Sequence, residues 1–357
     1  MEKIVIGITQ GDINGIGYEV IIKALMDPRI TELCTPVVYG SPKVAAYHRK
    51  AMDIDNFSLN TINKIEEHHA KRPNIINCVD ENIRVELGKS TSVAGEASRL
   101  ALEHAVKDLK DGKIHALVTG PINKQNIQSD DFRFSGHTEY LQYIFQSDEV
   151  LMLMVSDILK VGVVAGHIPV AELSSFITED MILDKIRIMN HSLIQDFGIR
   201  KPKIAVLGLN PHAGDNGLLG NEEQERIIPA IEKANNEDIL VKGPYPADGF
   251  FGSGNFKHFD GVLAMYHDQG LGPFKTMIPE QGVNFTAGLP VIRTSPAHGT
   301  AYDLAGRNEA NHESFLNAIY VACDVFRNRK MYSEINSNPL PSGLPREVEG
   351  TREHPGE

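Results

Sequence analysis

The chain has 357 residues, 41% of them hydrophobic, and sets 35 Lys and Arg against 47 Asp and Glu for a formal charge of −12. That length and apolar content suit two domains or two lobes of one fold. The acidic balance, with no local basic cluster, argues against a nucleic-acid partner. Three widely spaced cysteines, Cys34, Cys78 and Cys323, with no CxxC pair, argue against a disulfide framework or a thiolate zinc site.

The N-terminus, MEKIVIGIT, enters a strand pattern with no signal-peptide shape, and no apolar run approaches the ~20 residues of a membrane span. A cytoplasmic protein without a membrane partner is expected. Strands are predicted at Ile4–Thr9, Val37–Gly40, His115–Thr119, Val150–Val155, Val161–Ala165, Lys203–Gly208 and Gly261–Tyr266. Helices are predicted at Tyr18–Met26, Lys43–Met52, Gly95–Leu109, His137–Phe145, Glu179–Phe197 and Glu222–Asn235, the fifth capped by Thr178. Strand–helix alternation at this spacing predicts an α/β fold on a largely parallel sheet. From about Asn336 to Glu357 the chain turns rich in Pro, Gly and Glu, and a poorly ordered tail is expected.

The first strand runs into Gly11-Asp-Ile-Asn-Gly-Ile-Gly17 and then a helix. It lacks both the Lys-Ser/Thr of a P-loop and the GxGxxG spacing, so a tight structural turn is the favoured reading. Gly136-His-Thr-Glu139 opens another helix. His137 and Thr138 would lie in its first turn, where free N–H groups attract anions, or Ser135 would simply cap it.

Three histidines share a setting. His167 follows the strand at Val161–Ala165, His212 sits in Asn210-Pro-His-Ala-Gly214 just beyond another, and His267 directly ends a third. Ligands of open α/β sheets bind beyond the carboxyl ends of strands, and three imidazoles on one rim would hold a divalent metal with positions left open. The competing reading is three unrelated solvated loop histidines. Asp268, next to His267, is placed to orient its ring. Lys275, Asn284 and Arg293 follow within a short stretch, the group of donors that grips phosphate or carboxylate; ordinary surface charge is the alternative, less so for Arg293, which ends an apolar run. The stretch from Ser295 to Gly306, rich in small residues, reads alone only as a close-packed functional loop.

Together these segments resemble the 4-hydroxythreonine-4-phosphate dehydrogenase (PdxA) family over roughly residues 3–330. The matching segments are Gly11–Gly17, Thr119-Gly-Pro-Ile-Asn-Lys124, Gly136-His-Thr-Glu-Tyr-Leu141, Leu209–Gly214, Tyr245-Pro-Ala-Asp248, Tyr266-His-Asp-Gln-Gly270 and the 295–306 loop. The resemblance implies an isocitrate/isopropylmalate dehydrogenase-like fold, two α/β lobes with a cleft between them. It implies a discontinuous first domain of residues 1–130 plus 265–335, and a second of 131–264 carrying metal ligands and dimer contacts. His167, His212 and His267 match metal ligands for zinc, magnesium or cobalt. His137, Thr138, Lys275, Asn284 and Arg293 match substrate contacts. The 295–306 loop, with His298, Gly299, Thr300 and Asp303, is similar to the adenosine-binding loop of the isocitrate dehydrogenases and implies NAD or NADP. Asp248 and Asp268 are candidate proton acceptors.

The implied activity is metal-dependent oxidation of 4-phosphooxy-L-threonine followed by decarboxylation, in a homodimer with shared active sites. A four-carbon sugar-acid phosphate is the alternative substrate. A phosphate acetyltransferase-like enzyme and a non-catalytic metal-binding protein are the rivals of other classes. The chain departs from the usual family pattern at Gln10, Ile13 and Asn14 in the first turn, at Arg133-Phe-Ser-Gly136, and in the Gly-Phe-Phe that follows Asp248.

Overall fold

The computed structural model describes residues 3–80 and 82–338. The expected tail lies outside that range except for its first three residues, of which Asn336 closes the last helix. The described strands are β1 (Ile4–Thr9), β2 (Cys34–Gly40), β3 (Asn60–Ile62), β4 (Asn74–Asn77), β5 (Ala116–Thr119), β6 (Leu151–Val155), β7 (Lys160–Ala165), β8 (Lys203–Leu207), β9 (Leu240–Tyr245), β10 (Gly261–Tyr266), β11 (Val283–Ala287) and β12 (Arg293–Pro296). The helices are α1 (Gly17–Leu25), α2 (Pro28–Leu33), α3 (Pro42–Ala51), α4 (Ser92–Lys110), α5 (His137–Ile144), α6 (Leu173–Phe176), α7 (Glu179–Gln195), α8 (Ile228–Asn236), α9 (Ala247–Gly252), α10 (His267–Met277) and α11 (Glu313–Asn336).

All twelve strands belong to one sheet, in the order β3-β4-β2-β1-β5-β12-β11-β6-β7-β10-β8-β9. The sheet is largely parallel, as expected, with eight of its eleven pairings parallel, but it is mixed. Pairings β12–β11, β11–β6 and β6–β7 are antiparallel. The cause is connection length: residues 156–159 join β6 to β7, and residues 288–292 join β11 to β12. A parallel pair needs a crossover of a dozen residues or more. The outer runs, β3-β4-β2-β1-β5-β12 and β7-β10-β8-β9, therefore point in opposite directions, and the seam between them forms the middle of the molecule.

Local sequence explains the elements that were legible. The mostly apolar strands β1, β2 and β10 are buried almost throughout, as strands covered on both faces are. Thr178 caps α7 by accepting from the Met181 N–H, and Thr91 caps α4 through Ala94. The helix expected from Glu222 instead begins as a π turn, Glu223–Ile227, and becomes α-helical at Ile228; Pro229 supplies no N–H for the regular ladder.

A large core cluster runs along most of the sheet, with Ile6, Val38, Leu117, Phe285 and Phe315 among its members. A smaller one, with Val161, Val262, Phe250 and Phe274, lies where α9 and α10 meet β7 and β10. Gln10 and Asn14, two of the departures in the first turn, are fully buried. Gln10 Oε1 accepts from Tyr18 (2.7 Å) and its Nε2 donates to Ala97 O (3.0 Å), while Asn14 Oδ1 accepts from the Glu86 N–H (2.7 Å). Both are buried polar hubs with satisfied partners, as interior amides must be.

Candidate active site

Strands β7, β10 and β8 are neighbours and parallel, so the segments after their carboxyl ends share one rim. His167 follows β7 by two residues, and His267 is the first residue of α10, directly after β10. Their rings face each other with centroids 5.9 Å apart. They line a cavity of about 230 Å³ together with Met152 and Met154 of β6, Asn284 of β11 and Arg293 of β12. His137, Thr138, Lys275 and His298 line it as well. Eight of the predicted site residues thus meet the same space, drawn from segments up to 161 positions apart.

Arg293 dominates its electrostatics. It is 3% exposed. Its guanidinium donates to Thr119 Oγ1 (2.8 and 3.2 Å) and to Thr286 Oγ1 (3.2 Å), and lies 3.4 Å from His137 Nδ1. No carboxylate pairs with it among the described residues. Burial pulls its pKa down to about 10, with Glu139, which lines the same cavity, opposing that shift. Arg293 stays cationic at neutral pH, and a buried cation held only by hydroxyls requires an anion to complete its environment.

His137 is the first residue of α5. Its cap is Gly136, with no side-chain acceptor, and not Ser135; the first-turn N–H groups are left for a ligand. Burial, reinforced by Arg293 and Lys124, holds His137 well below the usual histidine range, so the ring is neutral. Of seven buried side-chain atoms with no hydrogen-bond partner among the described residues, three line this cavity: His137 Nε2, Asn284 Oδ1 and His298 Nε2. Unsatisfied buried polar atoms are costly, and their convergence marks a place where a polar ligand supplies the partners. Larger clefts elsewhere, such as that between Lys160, Phe197 and Asn328, have no such convergence.

For a metal, the two imidazoles fit. His267 Nδ1 is 2.7 Å from Asp268 Oδ1, an arrangement that fixes the tautomer and leaves the other ring nitrogen as a ligand. Burial and the nearby Lys124 lower the His167 pKa, which favours the neutral, metal-binding form. The third expected ligand is elsewhere: His212 is exposed, on the turn Pro211–Gly217, and does not line the cavity. Among the described residues, no three His, Cys, Asp or Glu side chains gather closely enough to hold an ion. Of the proton-acceptor candidates, Asp268 is 88% exposed with its carboxylate on His267. Asp248 is exposed in the first turn of α9, which packs beside the His212 turn.

The 295–306 loop follows β12. Thr300 O accepts from the Ile16 N–H (3.0 Å), and a side chain on Gly15 would lie 2.6 Å from that oxygen. Tyr302 donates to Asp12 Oδ2 (2.7 Å), which also takes Asn126 Nδ2 (2.8 Å). The Gly11–Gly17 turn is therefore a buttress for this loop, as its structural reading anticipates. Gly299 and Asp303 are exposed, while His298 reaches the cavity and brings the loop beside it. Thr119, Thr286, Lys124 and Glu139 were not singled out from sequence as site residues. Thr119 and Lys124 bound a motif at the carboxyl end of β5, which was the available signal.

These buried histidines carry a consequence for stability. Burial lowers the pKa values of His48, His137 and His298. The unfolded chain, titrating near pH ~6.5, then binds more protons than the folded one, so stability is complete above that pH and is lost as pH falls toward the folded values. The melting temperature is expected to drop on acidification below pH ~6.5, and His48→Gln, remote from the cavity, should flatten part of that drop. Equal pH dependence in the two proteins would contradict it.

A family model described as pyridoxal phosphate biosynthetic protein PdxA matches residues 32–322. The chain belongs to the PdxA family. A 4-hydroxythreonine-4-phosphate dehydrogenase of Bacteroides thetaiotaomicron is 55% identical over 340 residues, covering 95% of this chain and 93% of that one. A D-threonate 4-phosphate dehydrogenase of Cupriavidus necator is 40% identical, covering 91% and 98%. Among solved structures, a 4-hydroxythreonine-4-phosphate dehydrogenase from Klebsiella pneumoniae superimposes with a TM-score of 0.79 at 33% identity, covering 91% and 98%. The α/β architecture is that of the PdxA proteins, an isocitrate dehydrogenase-like fold, and these relatives are named as dehydrogenases. No helix among the described residues is long and apolar enough to cross a membrane.

Proposed function

We propose that this PdxA-family chain oxidises 4-phosphooxy-L-threonine with NAD or NADP to 2-amino-3-oxo-4-phosphooxybutanoate, which loses carbon dioxide to give 3-amino-2-oxopropyl phosphate on the way to pyridoxine phosphate. The observation that carries this reading is the buried, carboxylate-free Arg293 beside His137 and Asn284, a site built for an anion, set in the same cavity as the His167–His267 pair. When bound, a divalent ion (zinc, magnesium or cobalt) supplies Lewis acidity to the substrate hydroxyl and the nicotinamide accepts the hydride.

The chain's own residues do the rest. Arg293, Lys275, Asn284, His137 and Thr138 hold the phosphate, and that remote grip orients the reacting carbon. Asp268 fixes the His267 ring. His298, Gly299, Thr300 and Asp303 receive the adenosine end of the cofactor, with the 295–306 loop braced by Gly15 and Asp12. His212, exposed and outside the cavity, completes the metal set across a homodimer interface, which also brings Asp248 toward the site as a proton acceptor alongside Asp268. The domain division at about residues 130 and 265 accompanies this reading. Three buried free thiols suit a reducing cytoplasm.

The identity to the Cupriavidus threonate enzyme favours a second substrate, a four-carbon sugar-acid phosphate such as threonate or erythronate 4-phosphate. Steady-state NAD reduction on both compounds separates them. The 55% relative leads us to expect the higher kcat/KM on 4-phosphooxy-L-threonine; a higher value on threonate 4-phosphate would reverse the assignment.

A further inference from the structure

The turn that carries His212 has a backbone that needs holding. His212, Ala213, Gly214, Asp215 and Asn216 take successive φ values of 55°, 51°, 78°, 43° and 55°. L residues enter this left-handed region singly, against a steric cost, and runs of it persist only where the surroundings impose them. Behind the turn lies Glu223, 1% exposed. Its Oε1 accepts from the backbone N–H groups of Leu209 (2.8 Å) and Asn210 (2.7 Å), and its Oε2 accepts from Asn210 Nδ2 (3.0 Å). Asn210 Nδ2 also reaches Glu222 Oε2 (2.8 Å).

Glu223 has no ion-pair partner among the described residues. A buried carboxylate answered only by amides is an expensive way to fill space, but it fixes two successive peptide groups at the root of a turn. The same root is tied to the other histidine segment. Gln269, two residues after His267, donates to Gly208 O (2.6 Å) and accepts from the Met265 N–H (2.7 Å).

We propose that Glu223 is a positioning residue for metal binding: it locks residues 209–217 so that the His212 imidazole is presented in one orientation to the ion. This rests on the metal reading above. The test titrates metal-free, full-length protein with Co²⁺ by calorimetry and follows amide hydrogen exchange across 209–217. Glu223→Ala should weaken Co²⁺ binding at least about tenfold, the scale of lost outer-shell support, and raise exchange in the turn, while NAD affinity is unchanged. Glu223→Gln keeps an oxygen for the two backbone N–H groups and should recover most of the affinity.

If Glu223→Ala fails to fold, Gly214→Ala substitutes for it. The new Cβ would lie 2.6 Å from Glu223 Oε2 and press on the carboxylate without removing it, and at a φ of 78° it also loads the turn directly. A loss of Co²⁺ affinity here therefore counts for Glu223 only if Gly214→Ala in a Glu223→Gln background adds little to it. Native Co²⁺ affinity in Glu223→Ala, with His212→Ala impaired, overturns the positioning role alone. Native affinity in both variants overturns the metal reading itself.

Discussion

Arg293→Met should lower kcat/KM for the phosphorylated substrate by about 10³-fold, chiefly through KM, while leaving the melting temperature of the ligand-free protein unchanged or raised. The activity term follows from removing a buried, charge-assisted anchor, worth about 2–5 kcal/mol in comparable settings, or roughly 30- to several-thousand-fold at 1.4 kcal/mol per decade. The stability term follows from what surrounds the guanidinium. Arg293 is buried against the hydroxyls of Thr119 and Thr286 and a neutral histidine, with no carboxylate in contact among the described residues and only Glu139 nearby to offset its charge. Replacing such a group by an apolar side chain of similar size is often neutral or stabilising. A site preorganised for an anion is held at a cost to the free protein, and the opposed responses of activity and stability are its signature. A melting temperature that falls by several degrees with KM unchanged would make Arg293 a structural residue.

His267→Ala should abolish stable metal retention and with it NAD reduction, and Asp268→Ala should weaken both in a graded way. Loss of an outer-shell carboxylate costs about 10–100-fold in metal affinity or activity, and loss of a ligand costs more. Asp268 accepts at 2.7 Å from His267 Nδ1 while itself 88% exposed, so its removal leaves the fold intact but frees the imidazole to rotate and change tautomer. Metal titration and turnover on the same preparations check the order. Native turnover in both the chelated protein and His267→Ala would remove the metal from the chemistry.

Much of this architecture was legible locally. The seven predicted strands overlap β1, β2, β5, β6, β7, β8 and β10, because each is a compact, mostly apolar run bounded by turn residues. The elements missed include β3, β4, β9, α2, α6, α9 and the 24-residue α11 as well as three that carry cavity-lining residues, and those three share a different character. α10 contains Gly270, Gly272 and Pro273, poor helix formers, and is helical because it packs on β7 and β10. β11 and β12 are only five and four residues long, and pairing with their neighbours makes them strands. Those three elements carry Lys275, Asn284 and Arg293, so the residues were visible before the scaffold that aims them.

The sequence by itself determined the residue types: three histidines at strand ends, a cluster of cations and amides, and a small-residue loop with a family resemblance. These follow from composition and order along the chain, which local physics can read. Only the tertiary structure decided which of them share a space. The adjacency of β7, β10 and β8 brought His167 to His267, and the antiparallel seam brought Arg293 and Asn284 into the same cavity. His212, on the left-handed turn at 212–216, stayed outside that cavity. Sheet order, burial and desolvation arise from contacts between distant segments, and no window of sequence contains them.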